Sequence, residues 1–283
     1  MNQSKSYPKV LSIAGSDSSG GAGIQADLKT FSALGVYGAT AITAITAQNT
    51  QGVNSQFALE PQMVYDQIAA VMDDIEPSVV KIGMLSNTAI VEAVAKALHD
   101  YRPSFIILDP VIVSSTGHRL LSIEAQETIK EKLIPIADLL TPNIPEMKAL
   151  TDSSLLSLEE KKEAAQQLFN LGAKAILLKG GHEDGEIKKD YLFFNGLKAK
   201  DKSLKSVSEY SSETVVTKNT HGTGCTLSSA IAAFIARGLS LEDAISEAKN
   251  YVTEAIRAGA DIKIGKGIGP VNHAFNPQKM IVL

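Results

Sequence analysis

Short continuous apolar runs alternate along the chain with longer segments of helical period, and this alternation constrains the fold more than any other feature. Strands that alternate with helices at this spacing are parallel and are joined by helical crossovers. Runs that are apolar throughout belong to a sheet that helices cover on both faces. The pattern predicts strands over residues 9–14, 36–47, 79–82, 105–108, 138–140 and 175–178, and helices over residues 22–34, 61–74, 87–99, 123–133, 158–171, 222–237 and 240–259.

The pattern changes between residues 187 and 216, where glycine, lysine and serine interrupt β-like pieces. This change predicts antiparallel strands added at one edge of a mostly parallel sheet. No linker or internal repeat divides the chain, so we predict one α/β domain over residues 1–283.

Composition excludes several classes of protein. With 27 Lys and Arg against 31 Asp and Glu, the net charge of −4 argues against a dedicated nucleic-acid binder. The single cysteine cannot form a disulfide framework within the chain. No apolar run approaches the roughly 18 to 20 residues that a membrane helix needs. The polar N-terminus lacks a signal-peptide pattern, and we expect a soluble, cytoplasmic protein that binds neither nucleic acid nor membrane.

The residues that follow the predicted strands are candidates for a functional site. Ligands of open parallel sheets bind beyond the carboxyl ends of the strands. For any one of these residues, a turn or a helix cap is an equally good explanation. They are rich in Gly, Asp, Asn, Gln and Lys, and occupy positions 15–17, 48–49, 83–84, 109–110, 141–143 and 179–182.

The strongest local signal is the segment NTHGTGC, residues 219–225, which leads into a strongly apolar helix. The first backbone N–H groups of a helix have no partner within the helix, and glycines let an anion approach them closely. The segment therefore predicts an anion hole for a transferring phosphoryl group. A glycine-rich turn that caps a core helix is the alternative. The P-loop, dinucleotide-binding and protein-kinase motifs are absent from the sequence.

A second candidate element is the pair Asn143 and Glu146, three residues apart at the start of a helix. Their oxygens suit Mg²⁺, which keeps most of its waters and takes phosphate oxygens as ligands. An N-cap Asn with a first-turn Glu is the alternative, and it is the preferred one for this pair taken alone. Asp109 could also hold Mg²⁺ or a water beside the phosphates, or serve only as a turn residue. Lys179 could offset phosphate charge, or be a solvated lysine at a strand end. Lys266, in the segment GKGIGP, suits a loop that closes on a nucleotide, or a linker to the last strand.

These elements occur together in a known order. The N-terminal segment LSIAGSDSSGGAGIQADLKTFSALGVYGATAITAITAQNTQGV is followed by KIGML, LDPV, TPNIPE, LLKGGH, KNTHGTGCTLSSAIA and GKGIGPV. The chain thus resembles the hydroxymethylpyrimidine/phosphomethylpyrimidine kinases of thiamin biosynthesis, in the ribokinase-like superfamily. The resemblance implies a three-layer αβα sandwich. It also implies two phosphorylations with ATP as co-substrate and Mg²⁺: 4-amino-5-hydroxymethyl-2-methylpyrimidine to its monophosphate, and the monophosphate to the diphosphate. A homodimer is implied by the same analogy.

The resemblance also implies the roles of individual residues around the acceptor. Gln48 is expected to recognise the pyrimidine, because its amide pairs a donor with an acceptor as an aminopyrimidine edge does. Asp27 is expected at the exocyclic amine or a ring nitrogen. The wall of the pocket is expected to consist of Gly15, Ala22, Met84 and Val111.

At the phosphates, the resemblance implies three groups of residues. An anion hole, a Mg²⁺ site organised through waters, and direct contacts to the nucleotide phosphates are expected. The anion hole comprises Gly222, Thr223, Gly224 and Cys225; the Mg²⁺ site comprises Asn143 and Glu146 with Asp109 nearby; the phosphate contacts are Lys179, Thr220 and Lys266.

Cys225 departs from the pattern of many sugar kinases in this superfamily, which carry Asp as catalytic base at that position. The Cys form is typical of the pyrimidine kinases. Because a helix N-terminus lowers a thiol pKa, we hypothesise that Cys225 accepts the alcohol proton in the first step only. The acceptor of the second step is already a phosphate. Equal losses in both steps for Cys225→Ala and Cys225→Asp would contradict this hypothesis.

Two other functions are compatible with the sequence. A pyridoxine or pyridoxal kinase shares this scaffold and this type of anion hole, and dual activity is compatible with the motifs. Gln48 favours the pyrimidine as substrate. A non-catalytic pyrimidine- or nucleotide-binding protein is the other alternative, although such a protein has no need for an anion hole and a Mg²⁺ pair together.

Overall fold

The central sheet of this computed structural model matches the predicted alternation. The structure describes residues 5–113, 120–151, 153–181, 185–195 and 207–283. Within these residues, nine strands form one sheet in the order β3-β2-β1-β4-β5-β6-β7-β8-β9. The strands are β1 (Lys9–Asp17), β2 (Tyr37–Asn49), β3 (Gly52–Ala58), β4 (Val79–Ile82), β5 (Phe105–Leu108), β6 (Leu139–Leu140), β7 (Ala175–Leu178), β8 (Ile187–Phe194) and β9 (Val207–Glu213).

The sheet is parallel in its centre and antiparallel at both edges. The six strands from β2 to β7 in the spatial order run parallel, while β3, β8 and β9 pair antiparallel with their neighbours. The antiparallel addition at β8 and β9 confirms the prediction for residues 187–216. Strand β3 was not predicted from the sequence, because most of its residues are polar or exposed and it lies at an edge, where no apolar run is needed.

Helices cover both faces of the sheet and complete the three-layer αβα sandwich, which confirms the predicted fold. Helices α1, α7 and α8 pack on one face, with a core that includes Phe31 and Ile231. Helices α2 to α6 pack on the other face. The helices are α1 (Gly23–Ala33), α2 (Pro61–Asp74), α3 (Thr88–Tyr101), α4 (Ile123–Lys132), α5 (Ile144–Thr151), α6 (Leu158–Asn170), α7 (Thr223–Ala236) and α8 (Leu241–Gly259).

The starts of several helices follow from local sequence chemistry. Asn87 caps α3 as predicted, since its side chain accepts a hydrogen bond from the Ile90 amide. Ser157 and Glu160 form a capping box at α6. Pro61 occupies the first turn of α2, where the missing N–H is not needed. None of the helices in the described ranges is long and apolar enough to cross a membrane.

The parallel strands bring their carboxyl ends to one edge of the sheet. Asp17 is the last residue of β1, Asp109 follows β5 and Lys179 follows β7. The amino end of α7 lies at this same edge, because His221 pairs with Pro270 and the Gly222 backbone lies against Gly21. The fold thus gathers residues that are far apart in sequence.

Candidate active site

A cavity of about 500 Å³ opens at the carboxyl edge of the sheet. Except for Asp27 and Lys266, all the predicted site residues line it. The topology therefore brings together the two ends of the predicted site, one for the acceptor and one for the phosphates. The predicted residues that line the cavity are Gly15, Ala22, Gln48, Met84, Asp109, Val111, Asn143, Glu146, Lys179, Thr220, Gly222, Thr223, Gly224 and Cys225.

The head of α7 presents backbone amides to this cavity. Gly222 is the N-cap with φ +82°, and a Cβ there would lie 1.8 Å from the carbonyl oxygen of Gly21. Only glycine fits such a position. The Thr223 amide donates to the carbonyl of Thr220 at 3.2 Å. Among the described residues the amides of Gly224 and Cys225 have no such partner, so these two are the amides available to an anion.

The thiol of Cys225 does not have the lowered pKa expected from its place at a helix N-terminus. Burial raises the pKa of Cys225 to about 11, although the charge of Lys81 and a hydrogen bond from the Gly23 amide act in the opposite direction. Desolvation of the thiolate therefore outweighs these two favourable contributions. The direction is opposite to the lowered pKa that we expected, and a role of Cys225 as base in the first step stays a prediction.

A buried charge cluster faces the α7 head. Nζ of Lys179 lies 2.7 Å from Oδ1 of Asp109 and 3.8 Å from Oε2 of Glu146. Burial acts to lower the pKa of Lys179, yet the two carboxylates raise it overall, so the ammonium is charged. Asp109 also accepts hydrogen bonds from Thr141 at 3.1 Å and Ser228 at 3.1 Å. Lys179 is thus held as a fixed positive charge beside Gly224, where a Cβ would lie 3.4 Å from Nζ.

Asn143 and Glu146 form the reciprocal helix-start pair that the sequence offered as an alternative. The Asn143 amide donates to Glu146 Oε2 at 2.7 Å, and the Glu146 amide donates to Asn143 Oδ1 at 2.8 Å. Burial raises the pKa of Glu146 to about 7. Among the described residues no group of three or more His, Cys, Asp or Glu side chains could hold a metal ion by itself. The pair nevertheless lines the cavity, so its role toward Mg²⁺ stays a prediction.

The residues predicted to contact the acceptor, apart from Asp27, all line the cavity, and their role toward a substrate stays a prediction. Gln48 lies near the end of β2 and is half-buried. Met84 follows β4, and a Cβ on Gly15 would lie 2.9 Å from its sulfur, which leaves no room for a side chain at Gly15. Val111 follows Asp109 by two residues and packs in a small apolar cluster with Met84 and Leu120. This part of the cavity wall therefore combines an apolar cluster with polar groups that include the Gln48 amide.

The structure corrects the predicted contact between Asp27 and the substrate. Asp27 is completely buried, and both of its oxygens lie 3.0 Å from Nζ of Lys81. Ser229 donates to Oδ1 at 2.6 Å and Ser12 donates to Oδ2 at 2.5 Å. Each oxygen therefore already has two donors and neither reaches the cavity. Lys81, from the KIGML motif, lines the cavity instead.

Lys266 also lies outside the cavity. It is exposed, and its backbone amide donates to Oγ1 of Thr50 at 3.1 Å. Gly267 donates to the same oxygen at 3.0 Å, so the loop rests on the turn between β2 and β3. The structure does not bring its side chain to the phosphate end. His182 of the LLKGGH segment lies outside the described residues.

Asp17 and His221 lie in segments that the sequence offered as candidates, residues 15–17 and 219–225, but their pairing at 2.8 Å was not predicted. Lys81 and a set of residues from β8, α7 and α8 also line the cavity and were not predicted as site residues. In this set, Lys249 pairs with Asp190 at 2.6 Å, and α7 and α8 add apolar side chains; we call this part of the lining the α7–α8 wall. Asp17 and Lys81 stand in the segments GSDSSGGAG and KIGML. The α7–α8 wall carries no such motif, because α7 is apolar along most of its length and α8 has only the ordinary pattern of an amphipathic helix. Its apolar members are Leu227, Val252 and Ile256.

Comparison with known proteins places this geometry in context. A match to the phosphomethylpyrimidine kinase family covers residues 17–272. The chain is 44% identical to the hydroxymethylpyrimidine/phosphomethylpyrimidine kinase of Escherichia coli K12 over 265 residues, which are 93% of this chain and 96% of that protein. It is 45% identical to a thiamine biosynthesis bifunctional protein of Geobacter sulfurreducens over 96% of the chain, and it spans about half of that protein's length, 54%.

A solved structure of similar fold is an ADP complex of Bacillus subtilis pyridoxal kinase. It superposes with a TM-score of 0.84 and 34% identity, covering 95% of this chain and 98% of that one. The fold is therefore shared between kinases with different acceptors, and the acceptor must be argued from the site.

Proposed function

The chain belongs to the phosphomethylpyrimidine kinase family, and we propose that it phosphorylates the pyrimidine precursor of thiamin in two steps. ATP would first phosphorylate the hydroxymethyl oxygen of 4-amino-5-hydroxymethyl-2-methylpyrimidine, and a second ATP would convert the monophosphate to the diphosphate. One observation carries this proposal. The open amides at the head of α7, the Lys179 ammonium and the Gln48 amide all line one cavity.

The phosphate end supports transfer by positioning and charge. In the first step the substrate hydroxyl oxygen forms a bond to the γ-phosphorus, the bond from that phosphorus to the bridging oxygen breaks and releases ADP, and the alcohol proton passes to an oxygen of the transferred phosphoryl group and from there to water. The Gly224 and Cys225 amides with Lys179 would stabilise the charge on the transferring group. A neutral Cys225 gives little base assistance from the free enzyme, and a loose transition state needs little.

Gly222 and Thr223, the other two residues predicted for the anion hole, would shape the turn at the head of α7 and donate no hydrogen bond to the phosphate. Gly222 would let Gly21 approach the α7 head closely. The amide and the hydroxyl of Thr223 both donate to the backbone carbonyl of Thr220, and Thr223 thereby holds the turn. These bonds do not use the side-chain hydroxyl of Thr220, and we propose that this hydroxyl contacts the nucleotide phosphates from the rim of the cavity. Lys266 would reach the nucleotide only if its loop moved toward the cavity.

Asp109, Asn143 and Glu146 fit Mg²⁺ by chemistry. All three offer oxygen atoms, which Mg²⁺ prefers as ligands. The carboxylates of Glu146 and Asp109 repel each other, and a cation bound near them would reduce this repulsion. When bound, Mg²⁺ neutralises charge on the phosphate oxygens. Because the side chains are few and already hydrogen-bonded, they would hold the ion partly through waters. They also keep Lys179 oriented toward the α7 head.

The α7–α8 wall of the cavity supports a proposed site for the nucleotide base. Leu227, Val252 and Ile256 give an apolar surface that a flat heterocycle could contact. The Lys249–Asp190 pair and Thr253 add polar groups at its edge. A nucleotide with its base here and its γ-phosphate at the α7 head would extend along the cavity.

Pyridoxal kinase activity is the second candidate function, because the B. subtilis pyridoxal kinase shares the fold at 34% identity. Gln48 favours the pyrimidine, since a primary amide complements an amine beside a ring nitrogen. By family analogy we also propose a homodimer and a cytoplasmic location.

Product analysis by phosphorus NMR tests the proposed function. The purified protein is incubated with Mg-ATP and either the hydroxymethylpyrimidine or pyridoxal. We expect the pyrimidine monophosphate to appear first and the diphosphate second, with the reaction lost on removal of Mg²⁺ by EDTA. Faster turnover of pyridoxal would favour the second candidate. No turnover of either acceptor would favour a non-catalytic binding protein.

A further inference from the structure

The loop after β1 is organised by the carboxylate of Asp17. Oδ1 accepts from the amide and the hydroxyl of Ser19 at 2.8 and 2.7 Å. Oδ2 accepts from the amides of Gly21 at 3.1 Å and Ala22 at 2.8 Å. Burial alone would raise the pKa of Asp17, but the hydrogen bonds from His221 and from this loop hold it well below its ordinary value. Asp17 is therefore a fixed acceptor.

The imidazole of His221 joins this loop to the head of α7. Its Nε2 lies 2.8 Å from Oδ2 of Asp17, and the His side chain is only 7% exposed. Its backbone amide donates to Gly269 at 3.0 Å, and the next residue is the N-cap of α7. The ring packs so closely that a Cβ on Gly21 would lie 2.4 Å from Cδ2. Since a carboxylate only accepts, Nε2 must carry a hydrogen.

The same hydrogen, whose short bond goes to Asp17, also decides which end of the Gln48 amide can face the ring. As placed, Nε2 of Gln48 lies 3.4 Å from Nε2 of His221, and Oε1 lies 3.1 Å from Oγ1 of Thr46. Two N–H groups would then face each other, while the Thr46 hydroxyl already donates to Ser16 at 2.9 Å. Exchanging the amide oxygen and nitrogen resolves both conflicts. Nε2 then donates to Thr46, and Oε1 becomes the second, longer acceptor at 3.4 Å of the His221 N–H, whose first acceptor is Asp17 at 2.8 Å.

We propose that Asp17 and His221 are positioning residues that lock the Gln48 amide in this orientation and so set the preference for an aminopyrimidine acceptor. The inference rests on the proposed function. The locked amide keeps one N–H and one carbonyl lone pair for the cavity. These match a ring nitrogen and an adjacent exocyclic amine. A free amide would present either order of donor and acceptor and would discriminate less.

The test uses the wild type, His221→Phe, which keeps a ring without the N–H, and His221→Gln, which restores an N–H donor. His99→Phe is the matched control, because His99 is exposed at the end of α3. For each protein, calorimetry with ADP present gives the affinity for the hydroxymethylpyrimidine and for its analogue without the 4-amino group. Steady-state kinetics give the KM values for the pyrimidine and for ATP, and ADP binding shows that the variants are folded.

We expect His221→Phe to reduce the preference for the aminated ligand about tenfold and to raise the KM for the pyrimidine about tenfold, with the KM for ATP within about twofold. His221→Gln should retain most of the preference, and His99→Phe all of it. An unchanged preference in His221→Phe, or a preference lost equally in His221→Gln, would overturn the inference. A wild type that does not phosphorylate the pyrimidine would instead contradict the proposed function.

Discussion

Replacement of Lys81 by Met tests the buried charge pair below the α7 head. Both members of the Lys81–Asp27 pair are completely buried, with Nζ 3.0 Å from each carboxylate oxygen. Lys81→Met removes the cation and leaves a buried carboxylate with only the Ser12 and Ser229 hydroxyls as donors. Removing one partner of a buried pair costs about 3–5 kcal/mol. That is a large share of the roughly 5–15 kcal/mol by which a folded protein is stable.

Urea unfolding followed by circular dichroism measures this loss, since the chain has no Trp to serve as a fluorescent probe. The double variant Asp27→Asn with Lys81→Met removes both charges and should recover part of the loss, because no unpaired ion remains. Lys96→Met is the control. Lys96 pairs with Asp100 on the surface at 64% and 36% exposure, so its replacement should leave the unfolding free energy unchanged.

Two results would refute this reasoning. A loss below about 1 kcal/mol for Lys81→Met would show that solvent or local rearrangement compensates the carboxylate. A double variant no more stable than Lys81→Met would show that packing of the lysine stem, and not the unpaired charge, accounts for the loss.

Three further predictions concern the cavity. With a pKa of about 11, Cys225 should be thiolate to about 3 × 10⁻⁴ at pH 7.5, so alkylation of this single thiol should accelerate about tenfold per pH unit up to pH 10; a plateau near pH 8 would contradict this. Burial raises the pKa of Glu146 from its ordinary 4.5 to about 7 in the folded chain, so the free energy of unfolding should fall as the pH rises from 4.5 to about 7. Glu146→Gln should therefore raise Tm at pH 8 and not at pH 4, and an equal Tm difference at both pH values would count against the assignment. Gly222→Ala should lower kcat at least about 100-fold, because a Cβ would lie 1.8 Å from Gly21 and displace the donor amides; kcat within tenfold of the wild type would show that the turn adapts.

Much of the fold could be predicted because its elements repeat a strong local pattern. The strands Val79–Ile82, Phe105–Leu108 and Ala175–Leu178 are short apolar runs bounded by turn residues, and their limits match the prediction. Strand β3 could not be predicted in this way. It is held by pairing with β2 and has little apolar surface of its own, so its position depends on the neighbouring strand.

The site could be predicted where function depends on backbone or strand ends, and not where it depends on burial. The glycines at the α7 head and Lys179 after β7 reach the cavity because the topology requires it. Asp27 and Cys225 differ from expectation for one physical reason. Asp27 is completely buried and paired with Lys81, and Cys225 lies at the base of the cavity with its thiol largely withdrawn from solvent; neither effect can be read from sequence spacing.

A crystal structure with the hydroxymethylpyrimidine and a non-hydrolysable ATP analogue tests the central claim most directly. We expect the terminal phosphate at the amides of Gly224 and Cys225, beside Lys179, and the pyrimidine amine and ring nitrogen against the Gln48 amide. A terminal phosphate bound elsewhere in the cavity, with the head of α7 contacting only protein, would contradict the account.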